Sequence, residues 1–339
     1  MTRILVTGGA GFIGSRLVQR LHGEGHDVAT LDNLSRSRRP SLGRFIYGDI
    51  RDRRLVKSAL AGIDTVFHLA AQSNVLGAVS DPDNCFSSNV IGTFNVLYEA
   101  QQARVQRVIF TSSREVYGDV QSLPVSESFP LLPKNTYGTS KLAGELYTKA
   151  FPGLDVTTLR LSNVYGPGDQ GRVVPLFLDA ALSGEDLLIY GEDKILDFVW
   201  IDDVVDALVA AANLPVAGRA INIGSGLASD LVGLAQQVIK ATHSRSSLRQ
   251  TPARSVEVDR YVADITLARD LLLYRPNPVP LHGIGEIALT ALASRTSHAA
   301  RRAASDVKRP TVEVNLSTRL STEWPTSATP APGRNRLRQ

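Results

Sequence analysis

A chain of 339 residues has room for one large domain or two modest ones. Apolar residues make up 43% and charged residues 21%, which allows a sizeable core and is ordinary for a globular protein. The sequence contains no apolar run of the roughly 18–20 residues that a membrane-spanning helix needs, so a membrane partner is not expected. One cysteine, Cys85, excludes an internal disulfide framework and a cysteine-rich metal site, and a cytoplasmic location is the default expectation.

The positive charge of the chain is concentrated near its C-terminal end. Residues 295–339 contain nine Lys and Arg against three Asp and Glu, a net charge of +6, whereas the whole chain carries +4. The remainder therefore carries −2, which argues against nucleic acid as a partner. The Ser, Thr, Ala, Arg and Pro composition of 293–339 predicts a disordered basic tail.

Short β-rich runs alternate with helical stretches along the first half of the chain. The predicted strands are, in chain order, 3–7, 27–31, 45–47, 65–69, 107–111 and 156–161. The predicted helices are 13–23, 90–103, 173–183, 202–212 and 230–242. This β-α-β alternation predicts the α/β class, with a doubly wound parallel sheet that helices cover on both faces.

A glycine-rich turn follows the first predicted strand and opens the first helix. Its residues are Gly8, Gly11, Phe12, Ile13 and Gly14. Glycines permit a tight turn and a close backbone approach, and the free N–H groups of a helix N-terminus attract a pyrophosphate. The pattern in this context predicts a dinucleotide site on a Rossmann sheet.

Polar residues after the second and third predicted strands extend that site. Asp32 lies where a carboxylate accepts hydrogen bonds from the adenosine ribose and repels a 2′-phosphate, so NAD is favoured over NADP. Arg36, Arg38 and Arg39 complicate this choice, because a nearby arginine can accommodate that phosphate; a solvated basic loop is the other interpretation of this run. Asn33 belongs to the same predicted contact; Asp49 and Ile50 are placed near the adenine, with a helix cap as the other interpretation of Asp49.

A tyrosine and a lysine four residues apart, Tyr137 and Lys141, predict a general base. Residues at this spacing share one helical face, and a lysine beside a tyrosine lowers the pKa of the phenol. The phenolate would accept a hydroxyl proton while hydride leaves the same carbon. Ser113 follows a predicted strand and could hydrogen-bond the substrate hydroxyl at the carboxyl edge of the sheet.

Taken with the segments 113–118, 137–141 and 163–168, these motifs resemble the extended short-chain dehydrogenase/reductase family over residues 1–286. The resemblance is to its NAD-dependent nucleotide-sugar epimerases and dehydratases. It implies a catalytic triad of Ser113, Tyr137 and Lys141, with NAD oxidising C4 of a nucleoside-diphosphate sugar. It also implies nicotinamide-side contacts from Leu69, Ala70 and Ala71, a supporting role for Asn89 in the cofactor site, and substrate contacts from Asn163, Val174, Pro175 and Arg254.

The resemblance also divides the chain and predicts its assembly. Residues 1–168, with 197–220 returning to the sheet, form the predicted NAD-binding domain; 169–196 and 221–292 form a smaller α/β lobe that binds the substrate. Family members are commonly homodimers, and the contact is expected on the helices near 90–103 and 138–150. No metal site is predicted.

Two departures from the family pattern bear on the substrate. Leu196 stands where members usually carry a diphosphate-binding arginine, so that contact could come from Arg254, Arg172 or Lys194 instead. Dehydratases of the family carry Asp-Glu after the catalytic hydroxyl residue, whereas this chain has Arg114 and Glu115, and arginine is a poor proton donor.

Three functions follow from this pattern. The first is C4 epimerisation of a UDP-hexose, which needs no acid or base beyond the triad. The second is a dehydratase that uses Glu115 as its C5 base, although Glu115 could equally be a structural partner of Arg114. The third is a non-catalytic regulator that binds NAD or a nucleotide sugar.

Overall fold

The computed structural model describes residues 1–37, 42–191 and 193–293. In chain order its strands are β1 (Arg3–Thr7), β2 (Asp27–Asp32), β3 (Arg44–Tyr47), β4 (Thr65–His68), β5 (Arg107–Ser113), β6 (Asp155–Leu161), β7 (Asn163–Tyr165), β8 (Leu187–Tyr190), β9 (Ile195–Leu196), β10 (Phe198–Trp200), β11 (Ala220–Ile223), β12 (Ser229–Asp230), β13 (Leu248–Thr251) and β14 (Arg260–Tyr261).

The helices are α1 (Phe12–Gly23), α2 (Arg53–Ala59), α3 (Val75–Ser80), α4 (Pro82–Phe86), α5 (Gly92–Gln102), α6 (Thr136–Lys149), α7 (Val173–Ser183), α8 (Ile201–Asn213), α9 (Leu231–Thr242) and α10 (Thr266–Leu272). A π-helical turn, Ser87–Ile91, leads into α5, and a 3₁₀ turn, Arg114–Val116, follows β5. Residues 284–293 are also helical.

A sheet of seven parallel strands in the order β3-β2-β1-β4-β5-β6-β11 forms the centre of the molecule. Successive side chains of a strand point to opposite faces, so a strand buried on both sides is apolar at every position. In β1, Val6 packs in one core with side chains of α1 and α8, and Leu5 packs in another with those of α2 and α5. This burial on both faces confirms the predicted α/β class and doubly wound sheet.

Smaller sheets follow the sixth strand of the chain. Strand β7 pairs with β10, β8 pairs with β13, and β9 lies between β12 and β14. Helices α7 and α9 contribute buried side chains to the same apolar cluster as β1 and α8. Strand β7 carries Asn163, one of the predicted substrate residues.

Several element boundaries differ from the sequence prediction. The strand expected at 107–111 continues to Ser113, and β4 ends at His68, one residue earlier than expected. Strand β11 pairs with β6, so 221–223 join the central sheet and not the second lobe, because their buried side chains complete its edge. The rest of the predicted division into two lobes stays a prediction.

Two further expectations concern membranes and the tail. Within the described ranges, none of the helices combines the length and the apolar character needed to cross a membrane. The predicted tail lies outside the described residues from 294 onward.

Candidate active site

The glycine turn between β1 and α1 leaves no space for side chains. Gly8 has a positive φ of 72°, and a Cβ on it would lie 2.7 Å from the backbone nitrogen of Ala70. A Cβ on Gly14 would lie 2.1 Å from the carbonyl oxygen of Gly8. Helix α1 then begins after Gly11 with no side-chain cap, which leaves the positive end of its dipole open to an anion. This cradle fits the pyrophosphate of a dinucleotide.

Asp32 is fixed at the end of β2, directly beside the glycine turn. Its Oδ2 accepts a hydrogen bond from the backbone N–H of Ala10 at 3.0 Å, and its Oδ1 accepts one from Leu34 N–H at 2.8 Å. A carboxylate oxygen has two lone pairs, so each oxygen can accept a further bond from a hydroxyl. The position suits the predicted ribose contact.

Asn33 and Asp49 are joined to each other across the ends of β2 and β3. The Asn33 amide donates to Asp49 Oδ2 at 2.8 Å, and Arg51 pairs with the same oxygen at 2.7 Å. Burial opposes ionisation of Asp49, but the hydrogen bonds from Arg51 and Asn33 outweigh it and lower the pKa to about 2. Ile50 is buried, and its carbonyl accepts a hydrogen bond from the Asn95 amide at 3.1 Å.

The segment after β4 is held against β1. Leu69 N–H donates to the carbonyl of Thr7 at 3.1 Å, and Ala70 N–H donates to the Thr7 hydroxyl at 3.3 Å. Ala71 follows in the same loop and is partly exposed. His68 contacts the hydroxyl of Thr7 through Nδ1 at 2.7 Å, and burial lowers its pKa to about 3. This neutral histidine is a structural group.

Asn89 connects that loop to α6. It lies in the π-helical turn before α5, where one extra residue re-aims the side chain inward, and it is 1% exposed. Its amide donates to Gln72 O at 3.0 Å and to Ser140 Oγ at 2.9 Å, and its Oδ1 accepts from Gln72 N–H at 2.8 Å. The side chain supports the loop on which the nicotinamide contact was predicted.

The structure places Ser113, Tyr137 and Lys141 together at the carboxyl edge of the central sheet. Ser113 ends β5, and hydrogen bonding with it acts on the Tyr137 phenol. Lys141 is buried one helical turn after Tyr137, with its Nζ donating to the carbonyl of Thr111 at 2.9 Å. Helix α6 begins at this place because Asn135 caps it, accepting from Gly138 N–H at 2.8 Å.

Burial acts on the ionisation of both members of the pair. It raises the pKa of Tyr137 to about 12, although the positive charge of Arg172 and hydrogen bonding to Ser113 act to lower it. It lowers the pKa of Lys141 to about 8. The phenol pKa therefore lies above its ordinary value because desolvation dominates, and the predicted help from Lys141 stays a prediction.

Glu115 has a partner for each carboxylate oxygen. Arg114 Nη2 lies 2.9 Å from Oε1, and the Asn135 amide donates to Oε2 at 2.7 Å. All three side chains are buried. These contacts fit the interpretation of Glu115 as a structural partner of Arg114. They connect the 3₁₀ turn after β5 to the start of α6.

Sequence reasoning missed Gly138, which permits the close approach of α6 to β5. A Cβ at Gly138 would lie 2.4 Å from the carbonyl oxygen of Glu115, so a larger residue would push α6 away from Ser113. An asparagine three residues before this glycine is a typical N-cap signal and could have located the start of the helix.

The predicted substrate residues lie on β7, on α7 and in the segment that follows β13. Asn163 begins β7 and donates through its amide to Asp197 O at 3.0 Å. Val174 is 2% exposed, packed in the core, so its side chain is not open to a ligand. Arg254 stacks on Tyr190 with its guanidinium carbon 3.6 Å from the ring centroid.

The cations considered in place of an arginine at 196 are all paired with carboxylates. Arg254 pairs with Glu257 at 3.1 Å, and Lys194 pairs with the same residue at 2.5 Å. Arg172 lies 3.4 Å from Asp169, whose pKa burial raises to about 6. Leu196 itself is buried in β9, opposite Tyr261 of β14. A diphosphate would therefore compete with a carboxylate for any of these cations.

Comparisons with known proteins agree with this geometry. Residues 4–224 match the NAD dependent epimerase/dehydratase family. The UDP-glucose 4-epimerase of Mycolicibacterium smegmatis is 36% identical over 304 residues, which cover 84% of this chain and 96% of that protein. The UDP-N-acetyl-alpha-D-glucosaminuronate decarboxylase of Bacillus cytotoxicus is 34% identical over 81% of this chain and 92% of its own length. A crystal structure of the Thermotoga maritima UDP-glucose 4-epimerase with UDP-glucose superimposes with a TM-score of 0.81 at 32% identity, covering 87% of this chain and 99% of that one.

Proposed function

The chain belongs to the NAD-dependent epimerase/dehydratase family, and we propose that it inverts C4 of a UDP-hexose through a transient 4-keto intermediate. The observation that carries the proposal is the placement of Ser113, Tyr137 and Lys141 together at one edge of the sheet, with the adjacent Glu115 held by two partners. A C4 epimerisation needs the first three groups and leaves Glu115 unused.

NAD is the cofactor of this enzyme. In the proposal the N–H groups of the turn at Gly11 to Gly14 hold the pyrophosphate, and Asp32 with Asn33 holds the adenosine ribose. Asp49 and Ile50 lie on the adenine side, and the loop at 69–71, supported by Asn89, lies on the nicotinamide side. When bound, NAD supplies a reversible hydride acceptor for C4 of the sugar.

The proton chemistry belongs to Tyr137. The charge of Arg172 and the hydrogen bond with Ser113 favour its phenolate against the cost of burial. The phenolate accepts the proton of the C4 hydroxyl while Ser113 hydrogen-bonds that hydroxyl and fixes its direction. The 4-keto sugar then turns its other face to the cofactor, and Tyr137 returns the proton to the new C4 hydroxyl. The hydride and the proton that leave the sugar both return to it, so no external oxidant or base is needed.

The nucleotide side of the substrate is assigned to the smaller sheets. Arg254 is placed near the phosphates, Asn163 near the diphosphate, and Val174 near the base through its backbone, since its side chain is buried. Leu196 is buried and carries no charge, so Arg172 and Lys194 are the further cations that could contact the diphosphate.

Product analysis with a panel of nucleotide sugars tests the proposal. Purified enzyme is incubated with UDP-, dTDP- and GDP-sugars in D₂O without added cofactor, and the products are followed by NMR. We expect C4 inversion of a UDP-hexose with no deuterium at C5. Loss of water with deuterium at C5 would assign the dehydratase instead, and NAD binding with no turnover of any sugar would assign the regulator.

We further propose a homodimer, held through α6 and the segment before α5. The support is a set of exposed apolar side chains, of which Leu146 is 61% exposed and Tyr147 and Ile91 are also accessible. Light scattering should give a dimer mass for the wild type and for Leu188→Glu, which changes an exposed leucine on β8, but a monomer mass for Leu146→Glu.

We also propose a cytoplasmic location, which cell fractionation would test.

A further inference from the structure

A buried ion pair joins α6, the helix that carries Tyr137 and Lys141, to β6, the strand next to β5. Glu145 of α6 and Arg160 of β6 are each 4% exposed. Arg160 Nη2 lies 2.7 Å from Glu145 Oε2, and Arg160 Nε donates to Glu145 Oε1 at 3.0 Å. Charges this deeply buried are tolerated only when they are paired and hydrogen-bonded, so their relative position is fixed.

The same carboxylate also holds the end of β5. The hydroxyl of Ser112 donates to Glu145 Oε1 at 2.5 Å, and Ser112 is the direct neighbour of Ser113. Glu145 therefore joins three elements: α6 through its own backbone, β5 through Ser112 and β6 through Arg160. The distance between Ser113 and Tyr137 depends on how α6 sits on β5.

Glu145 is also the carboxylate nearest in sequence to Lys141 on the same helical face, four residues away. The groups that face Lys141 from the packed elements are the Phe110 ring and the Thr111 carbonyl of β5, the neutral His68 of β4 and the Cys85 thiol of α4. Tyr137 and Glu145 face it from α6 itself. Burial lowers the pKa of Lys141 to about 8, and Cys85 and Glu145 act in the opposite direction.

We propose that Glu145 is a positioning residue of the active site, which locks α6 onto β5 and so holds Lys141 against the Phe110 ring and the Thr111 carbonyl. The inference rests on the proposed roles of Ser113, Tyr137 and Lys141. Its two parts share one cause, because a single carboxylate contacts the neighbour of Ser113 and lies one turn from Lys141.

The first test measures the ionisation of Lys141 without any substrate. The variant is Glu145→Gln combined with Arg160→Gln, because Glu145→Gln alone leaves a buried cation unpaired and is prone to unfold. Lysine ¹³Cε signals are followed by NMR through a pH titration, and the Lys141 signal is identified by its loss in Lys141→Arg. We expect the Lys141 midpoint to rise by about half a pH unit or more in the double variant, because the pair that is removed is neutral as a whole and a displaced Lys141 is less buried. A midpoint that falls would contradict this expectation.

The control is Tyr117→Phe, which cuts the same buried network at its far end. The Tyr117 hydroxyl accepts from Arg160 Nη1 at 2.8 Å and donates to Asn222 Oδ1 at 2.7 Å. This variant should lower the melting temperature and leave the Lys141 midpoint unchanged. An unchanged midpoint in the double variant, or an equal shift in Tyr117→Phe, overturns the inference.

The second test is kinetic. In the double variant kcat should fall about 10- to 100-fold with KM changed less than about twofold, because the variant displaces reacting groups and not the substrate contacts. The alkaline limb of its kcat profile should move to higher pH, in step with the NMR midpoint. A kcat within twofold of wild type overturns the positioning role. If the wild type converts no UDP-sugar, the proposed function fails, and the substrate-free titration still decides the role of Glu145.

Discussion

The carboxyl edge of the central sheet and the smaller sheets hold their polar residues in different ways. At the edge, Asp32 and Lys141 bond backbone groups, which are fixed by the sheet and the helix starts. Beside the smaller sheets, Arg254 and Lys194 are held by the side chain of Glu257. A side chain can exchange one ionic partner for another by rotating, whereas a contact to the backbone changes only if the backbone moves. We therefore expect substitutions at the edge to act mainly on the reaction rate, and substitutions beside the smaller sheets to act mainly on substrate affinity.

The largest expected effect lies at the edge. Tyr137→Phe should lower kcat by about 10²–10⁴-fold, because the proposed base is removed while the ring and its packing remain. Initial rates measured by NMR on the best UDP-sugar check this. Tyr147→Phe, on the exposed side of the same helix, is the matched control and should retain its rate. Wild-type turnover by Tyr137→Phe would refute the assigned base.

The next effect concerns the glycine turn. Gly14→Ala should weaken NAD binding by about 100-fold or unfold the turn, because its Cβ would overlap the carbonyl oxygen of Gly8. Gly23→Ala lies at the other end of α1, where a Cβ meets nothing within 4 Å, and should bind NAD normally. Titration calorimetry distinguishes the two. Equal affinities would show that the turn is not the pyrophosphate site.

A smaller effect is expected beside the smaller sheets. Arg254→Gln should raise KM for the UDP-sugar by about 10-fold at nearly constant kcat, since a phosphate contact is lost while the reacting groups stay in place. Arg249→Gln, exposed on β13, is the control. A fall in kcat with unchanged KM would move Arg254 to the reacting side and weaken the contrast between the regions.

The smallest effect is a pH shift. The charge of Arg172 lowers the pKa of Tyr137, so Arg172→Gln should raise that pKa and move the rising limb of kcat to higher pH. Arg172 is partly exposed, so screening by solvent limits the change to a few-fold in rate below the pKa. Arg20→Gln, on the outer side of α1, should leave the profile in place. A shift to lower pH in Arg172→Gln would contradict the assigned sign.

Sequence reasoning went furthest where local pattern and fold impose the same requirement. The strands and the glycine turn are visible because apolar runs and glycines are dictated by burial and by backbone sterics. It could not give the direction of the Tyr137 pKa shift, because the balance between desolvation and nearby charge depends on residues distant in sequence, such as Arg172 and Glu115. It also left Glu115 undecided between two roles, since its partner Asn135 lies twenty residues away.

The sequence by itself determined the central sheet and the glycine turn after its first strand, and it predicted that Ser113, Tyr137 and Lys141 act together, because each of these features depends on short-range spacing that any such fold must satisfy. The tertiary structure decided which charged side chains pair with each other. Arg114 and Asn135 hold Glu115, and Lys194 and Arg254 share Glu257. It also decided that Leu196 is buried. Electrostatic energies depend on distance and burial in space, and neither quantity can be computed from spacing along the chain.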